Sequence, residues 1–313
     1  MTAQSMTATE WLLLILLSVL WGASFFFAEV ALDQVPPFTL VLFRVGIAAL
    51  ALHLWLRASG ARMPADWAAW RRFATMGLLN NAFPFSLIVF GQTYIPSGLA
   101  AILNATTPLF AVVFAHFLAK DERLTLARLS GVGIGIAGVA VMIGPSALDG
   151  LGSGVIGQLA VLGGACCYGL ASYYGRRLRG YPPVVSAAGQ VTCSTLWLAP
   201  LALFIDRPWT LPSLTWETWG SLLGVALLST ALAYVVFFRI MARAGGTNVM
   251  LVTFLVPVSA LLLGVFILGE AVGARELTGM ALIFGGLAAI DGRLWRWLQS
   301  RLSGRRPKAS SAP

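Results

Sequence analysis

The sequence predicts an all-α integral membrane protein of ten transmembrane helices built as two inverted five-helix repeats. Three observations predict it: the composition, a long-range internal repeat, and the one-sided placement of Lys and Arg. Of 313 residues, 58% are hydrophobic and 11% are charged, against about 45–50% apolar and about 25% charged in a soluble domain. So much apolar surface has to face lipid and neighbouring helices. Cys166, Cys167 and Cys193 all lie inside apolar runs, two of them adjacent, which gives neither a disulfide framework nor a zinc site. The opening MTAQSMTATE lacks the basic stretch of a cleaved signal, so the first apolar run is expected to stay as a helix.

The repeat is clearest between residues 100–142 and residues 248–290. Each copy has an apolar run with a proline (Pro108, Pro257), a polar turn with a glutamate (Glu122, Glu270), and two later glycines (Gly131 and Gly138, Gly279 and Gly286). Fainter echoes set WGASFFFAEV at Trp21 against YGLASYYGRR at Tyr168, and PFTLVLFR ending at Arg44 against PVVSAAGQ ending at Gln190. A chain that repeats itself at this distance has two structural halves.

A spanning helix needs about 20 mostly apolar residues to cross about 30 Å of hydrocarbon. Ten stretches meet that need or approach it: 11–31, 37–56, 73–94, 98–119, 129–143, 154–174, 183–205, 219–238, 249–268 and 277–290. They are rich in Leu, Ala and Gly and lack strict alternation, which argues against strands. The expected organisation is a first repeat over 11–144, a second over 154–290, and a basic tail over 291–313.

Positive charge is retained on the cytoplasmic side. With both termini cytoplasmic, all but three of the 21 Lys and Arg residues fall on that side; Arg207 and Arg275 lie opposite and Arg44 lies within a helix. Five helices per half is an odd number, so the second half enters upside down relative to the first. Inverted repeats of this kind mark secondary transporters, in which the halves expose a midplane site alternately to each side. The net charge of +9 is then explained by cytoplasmic loops and a tail at the lipid headgroups, and a nucleic-acid partner is not expected.

An early Trp-Gly, a proline followed by an intramembrane arginine in the second helix, and the proline, glutamate and glycine spacing across the fourth and fifth helices together resemble the EamA repeat of the drug/metabolite transporter superfamily. The likeness covers both halves. The first copy has one extra residue between Pro108 and Glu122, and the second lacks the helix-two arginine. The resemblance implies a ten-helix carrier of small organic metabolites in the bacterial inner membrane, and the aromatic first and sixth helices suit its YddG-type amino-acid exporter branch. Drugs, nucleosides or other metabolites of the superfamily are alternative cargo.

Candidate substrate-binding residues are Trp21, Phe25, Asn80, Asn104, Thr107, Tyr168, Ser172, Tyr234 and Thr253. Asn104 and Thr107 sit beside Pro108, which frees a backbone carbonyl, and unpaired backbone with nearby amides can line a wet site; interhelical hydrogen bonding is the competing use of the same groups. Ring faces such as Trp21 and Tyr168 favour an ammonium group, although lipid-facing packing explains any single aromatic, and Tyr173 and Tyr174 suit the membrane interface.

Arg44 lies about 10 Å into its helix. Intramembrane ions face the bundle interior and have partners, so Arg44 is expected either to pair with Glu29 or to attract a substrate carboxylate or form a gate. Glu29 is also a candidate protonation site. Gly131 and Gly135, with Gly285 and Gly286, are expected to bring the fifth and tenth helices together.

His53 and His116 have no clustered ligand partners, so no metal or other cofactor is expected. An intramembrane enzyme acting on lipid would need clustered acids and bases at depth, and only Glu29 and Arg44 are available. The partners expected are a small-molecule substrate and membrane lipids, with the protein as a monomer.

Overall fold

The computed structural model describes residues 6–118, 125–144 and 152–291, and among them every regular element is helical. Ten rods run back and forth: α1 (Ala8–Leu32), α2 (Pro37–Ala58), α3 (Trp67–Gln92), α4 (Ser97–Leu118), α5 (Leu126–Ile143), α6 (Ser153–Leu178), α7 (Pro183–Asp206), α8 (Trp216–Ala244), α9 (Val252–Leu268) and α10 (Ala274–Asp291). Seven are long and apolar enough to span a bilayer, by length and composition, and α5, α9 and α10 are shorter. The end where α1 runs into α2 is called distal here, and the opposite end proximal. The polar turn holding Lys120, Glu122 and Arg123, and the basic tail from residue 292, lie outside the described residues.

Local chemistry sets the helix ends. Thr7 and Glu10 form a capping box at the start of α1. The Asp66 side chain accepts from the Ala69 N–H at 2.8 Å to open α3, and the Thr215 hydroxyl accepts from the Thr218 N–H at 3.3 Å to open α8. The proline pairs Pro36–Pro37 and Pro182–Pro183 start α2 and α7, where a missing N–H costs nothing. The caps at Thr7, Asp66 and Thr215 start α1, α3 and α8 several residues before the apolar runs do.

α6 closes in a 3-10 turn over Gly175–Leu178 and α7 in a π turn over Ala202–Asp206, and three rods depart from regular α-helix in mid-span. Pro84 cannot donate to the carbonyl of Asn80, and α3 widens into a π turn over Leu78–Ala82. In α8 the Thr230 hydroxyl donates to the Val225 carbonyl at 2.8 Å, within a π segment over Gly224–Leu232. These two segments occupy equivalent places in the two halves, where Trp67 and Trp70 of α3 answer to Trp216 and Trp219 of α8. In α4, Pro108 breaks the rod at residues 105–106, and the freed Asn104 carbonyl takes the Thr107 hydroxyl at 2.8 Å.

Packing runs mainly between the halves and obeys their two-fold relation. α1 lies along α9, and its counterpart α6 lies along α4; α3 packs on α7 as α8 packs on α2; α2, α4 and α5 each face their own counterparts α7, α9 and α10. The relation holds at single residues. A Cβ on Gly22 would meet Ser259 and Ala260, and a Cβ on Gly169 would meet the equivalent Phe110 and Ala111. Along α5 and α10, Gly131 lies against the Gly286 carbonyl and Gly138 against the Gly279 carbonyl, two contacts that the two-fold exchanges. Gly135 takes Leu109 and Gly286 beside it. Gly285, expected in this seam, faces open space instead, and Gly279 takes the second close contact, because one helical position turns a residue by about 100°.

Two apolar cores result, one around α2, α3 and α7 and one around α1, α4 and α9, and Tyr168 touches both. Substituting Gly131→Val should destabilise the detergent-solubilised protein by about 1–3 kcal/mol through overpacking, while Gly285→Val should stay within about 0.5 kcal/mol. Thermal unfolding of the two variants beside the parent measures the difference.

Candidate functional site

Between the two cores the α2, α3, α7 and α8 rods bring polar and aromatic side chains together. Arg44 leaves α2, is 7% exposed, and donates from Nε to the Thr230 hydroxyl of α8 at 2.9 Å. Its guanidinium carbon lies 3.5 Å from the centre of the Phe85 ring of α3, a stacked cation–π contact strengthened by burial. Phe85 in turn meets Tyr168 of α6 edge-on at 6.4 Å.

On the opposite leaflet side, Gln190 of α7 stands where the two-fold puts the counterpart of Arg44. The Asn80 amide donates to Gln190 Oε1 at 3.2 Å and to the Tyr234 hydroxyl at 3.1 Å. That hydroxyl donates on to Asn81 Oδ1 at 2.6 Å, and the Tyr234 ring stacks on Phe238 with centroids 6.1 Å apart. The π turns aim these groups, since a wide turn shifts the phase of the residues beyond it.

Several buried polar atoms on these rods have no hydrogen-bond partner among the described residues, namely Asn81 Nδ2, Ser229 Oγ and Ser186 Oγ, and Asn104 Oδ1 on α4 is another. Asn81 itself is 0% exposed. Unmet groups of this kind are uncommon in native proteins and each costs free energy unless water or a ligand reaches it.

The sequence-derived candidates distribute as follows. Asn80, Tyr168, Tyr234 and Arg44 enter this cluster. Trp21 lies against Phe237 at 5.5 Å, and Phe237 meets the neighbouring Phe238 edge-on at 5.2 Å. Phe25 is buried, and its carbonyl accepts from Gln92 at 2.9 Å. Asn104 and Thr107 sit at the break in α4 described above. Ser172 is exposed and donates to its own helix at the Gly169 carbonyl, 2.6 Å away, and Thr253 does the same at Met250, 2.7 Å away; neither joins the hydrogen-bonded cluster.

The expected Glu29–Arg44 pair does not form. Glu29 accepts from the Gln92 amide at 2.9 Å near the distal end, and no carboxylate among the described residues lies within ion-pair reach of Arg44. The reason is packing. α1 and α2 are consecutive but touch sparsely, each lying on a helix of the other half, so their polar faces point into different neighbourhoods. Sequence reasoning missed Phe85 and Thr230 entirely and did not assign a role to Gln190 or Asn81. The repeat carried the signal, because Gln190 aligns with Arg44 and Thr230 aligns with Asn81.

No group of three or more His, Cys, Asp or Glu among the described residues is placed to hold a metal. A cavity of about 550 Å³ opens between α2 and α7 and is lined by apolar side chains with Thr39, Thr195, His53 and Thr192, the last two hydrogen-bonded at 2.9 Å.

Two inverted halves wrapped around a buried polar centre define the class, a membrane transporter. Residues 9–144 and 155–290 each match the EamA-like transporter family, and the chain belongs to that family. It is 24% identical to the uncharacterized transporter YoaV of Bacillus subtilis, over 88% of this chain and 94% of that one. A probable amino-acid metabolite efflux pump of Salmonella typhimurium is 26% identical, over 90% of this chain and 94% of that one. A crystal structure of a protein 22% identical to the chain superposes with a TM-score of 0.63, covering 90% of this chain and 97% of the other.

Replacing Tyr234→Phe removes the hydroxyl shared by Asn80 and Asn81 and leaves both amides short of a buried partner. The expected loss is about 1–3 kcal/mol of stability, read from thermal unfolding, with the helical circular dichroism signal unchanged at low temperature.

Proposed function

We propose that the protein exports small organic metabolites of the amino-acid class across the bacterial inner membrane, by alternating access around the α3/α8 centre. The observation that carries this reading is Arg44: a buried cation held by a hydroxyl and a ring, with no carboxylate partner among the described residues. A carboxylate entering the centre would complete its coordination, and desolvation makes that pairing strong. Trp21, Phe25, Tyr168 and Tyr234 would supply ring surface for an apolar or aromatic side chain, and Asn80, Asn104, Thr107, Ser172 and Thr253 polar groups along the path. Glu29, half-buried near the distal mouth with Gln92, would serve as gate or protonation site. The similarity to a probable amino-acid metabolite efflux pump supports the same substrate class.

Both termini are proposed to be cytoplasmic, which makes the proximal face the inner one. Arg57, Arg62, Arg71, Arg72, Arg176, Arg177, Arg179, Arg239 and Arg243 all sit toward that face, while Arg207 and Arg275 sit at the distal one, as the retention of positive charge requires. A thiol placed at Arg62 should react with an impermeant maleimide only in inside-out vesicles, and one placed at Arg275 only in right-side-out vesicles. Labelling of both from one side would rule out the inverted arrangement.

Proteoliposomes holding the purified protein should take up labelled amino acids from a panel of aromatic and apolar members. Arg44→Ala should cut that uptake about tenfold or more, with Arg44→Lys no better than partial, because an ammonium cannot stack and bond as a planar guanidinium does. Trp21→Ala, Asn104→Ala and Tyr168→Ala should also lower it at equal protein content. Normal transport by all four alanine variants would place the pocket elsewhere, and indifference to an imposed pH gradient would remove Glu29 from any coupling role.

A further inference from the structure

Among the described residues, Glu270 is the one glutamate of the repeat motif, and neither the central site nor the glycine seams use it. It belongs to the second half, yet its carboxylate reaches the first turn of α4 in the first half. Oε1 accepts from the Ser97 N–H at 2.8 Å and Oε2 from the Gly98 N–H at 2.9 Å. These are two of the unpaired donors that every helix start leaves, here met by the carboxylate at the positive end of the helix dipole.

The seat is shaped for that carboxylate. A Cβ on Gly98 would stand 3.1 Å from Oε2, and a Cβ on Gly264 would run into the carboxylate itself. At the end of α9, Gly269 adopts φ 69°, ψ 23°, a left-handed conformation that glycine takes without strain, and the chain turns so that the next residue faces α4. The Glu270 N–H closes the turn on the Gly264 carbonyl at 3.0 Å. Beside the carboxylate is a cavity of about 80 Å³ lined by Pro96, Leu99, Leu261 and Glu276.

The joint ties α4 to the α9–α10 turn across the boundary between halves, at the distal end. α4 and α9 are also the rods that carry Pro108 and Pro257. Any opening of the centre toward the distal face that parts these rods has to break both hydrogen bonds together.

We propose that Glu270 is a gating residue of the transport cycle: while it holds Ser97 and Gly98 the centre is closed to the distal face, and its release lets that face open. The proposal rests on alternating access and is independent of the substrate's identity, so its test uses no substrate.

In a background with Cys166, Cys167 and Cys193 replaced by serine, Asn104→Cys serves as a reporter thiol, labelled by an impermeant maleimide in right-side-out and in inside-out vesicles. Glu270→Gln keeps one acceptor and turns an amide toward the second N–H. Gly264→Ala keeps the charge but fills its seat, and Glu270→Asp shortens the reach by one methylene. Each should speed labelling from the distal side about tenfold and slow it from the proximal side, the reciprocal change that separates gating from loosened packing. Any one of the three that purifies as a single species by size exclusion decides the matter. Unchanged rates from both faces, or faster labelling from both, overturns the proposal. Failure of the amino-acid reading alone would leave these rates as expected.

Discussion

Inside a bilayer, helices gain nothing by hiding apolar side chains from one another, because lipid is as apolar as leucine. Association comes from close packing, and backbones come closest where a side chain is missing. That constraint governs this molecule. Gly22 of α1 against α9, Gly169 of α6 against α4, and the crossed glycine contacts of α5 with α10 set the distances between rods. All of them join one half to the other, so the halves hold each other in place.

With the rods fixed, the polar centre follows. Lipid offers no hydrogen bonds, so polar side chains in the spans must face inward and find partners there. Arg44 does so with Thr230 and Phe85, and Asn80, Asn81, Gln190 and Tyr234 do so with one another. The centre keeps the two-fold shape of the frame but not its chemistry. Where one half presents a guanidinium, the other presents an amide, and where one presents Phe85, the other presents Tyr234. A scaffold doubled from one unit thereby has a centre with a guanidinium on one side and an amide on the other.

The frame was legible in the sequence because its causes are local or periodic. Apolar length gives the spans, and Pro108, Pro257 and the glycines after them give the repeat. The centre was half legible. Arg44, Asn80, Tyr168 and Tyr234 stand out as polar or aromatic residues in apolar runs, whereas Phe85 looks like any lipid-facing ring and Thr230 like any helix hydroxyl. Their importance comes from rotation about the helix axis, which the π turns in α3 and α8 offset from regular α-helix. The same blindness placed Gly285 in a seam it does not enter. Pairing Glu29 with Arg44 failed for a different reason: sequence neighbours suggest spatial neighbours, but in this fold consecutive helices α1 and α2 lean away from each other onto the opposite half.

The wide turns carry a historical implication as well. A π turn is in effect one residue too many for its helix, and it persists where straightening would mis-aim the side chains beyond it. α3 has one at Asn80 and Asn81, and α8 has one at the corresponding Ser229 and Thr230, although only α3 has a proline to provoke it. The simplest ancestry puts the extra residue in the single ancestral unit, before its gene was copied. On that account the kinked segment is among the oldest parts of the molecule, and the arginine, amides and rings around it are later specialisations of a bend that both copies inherited.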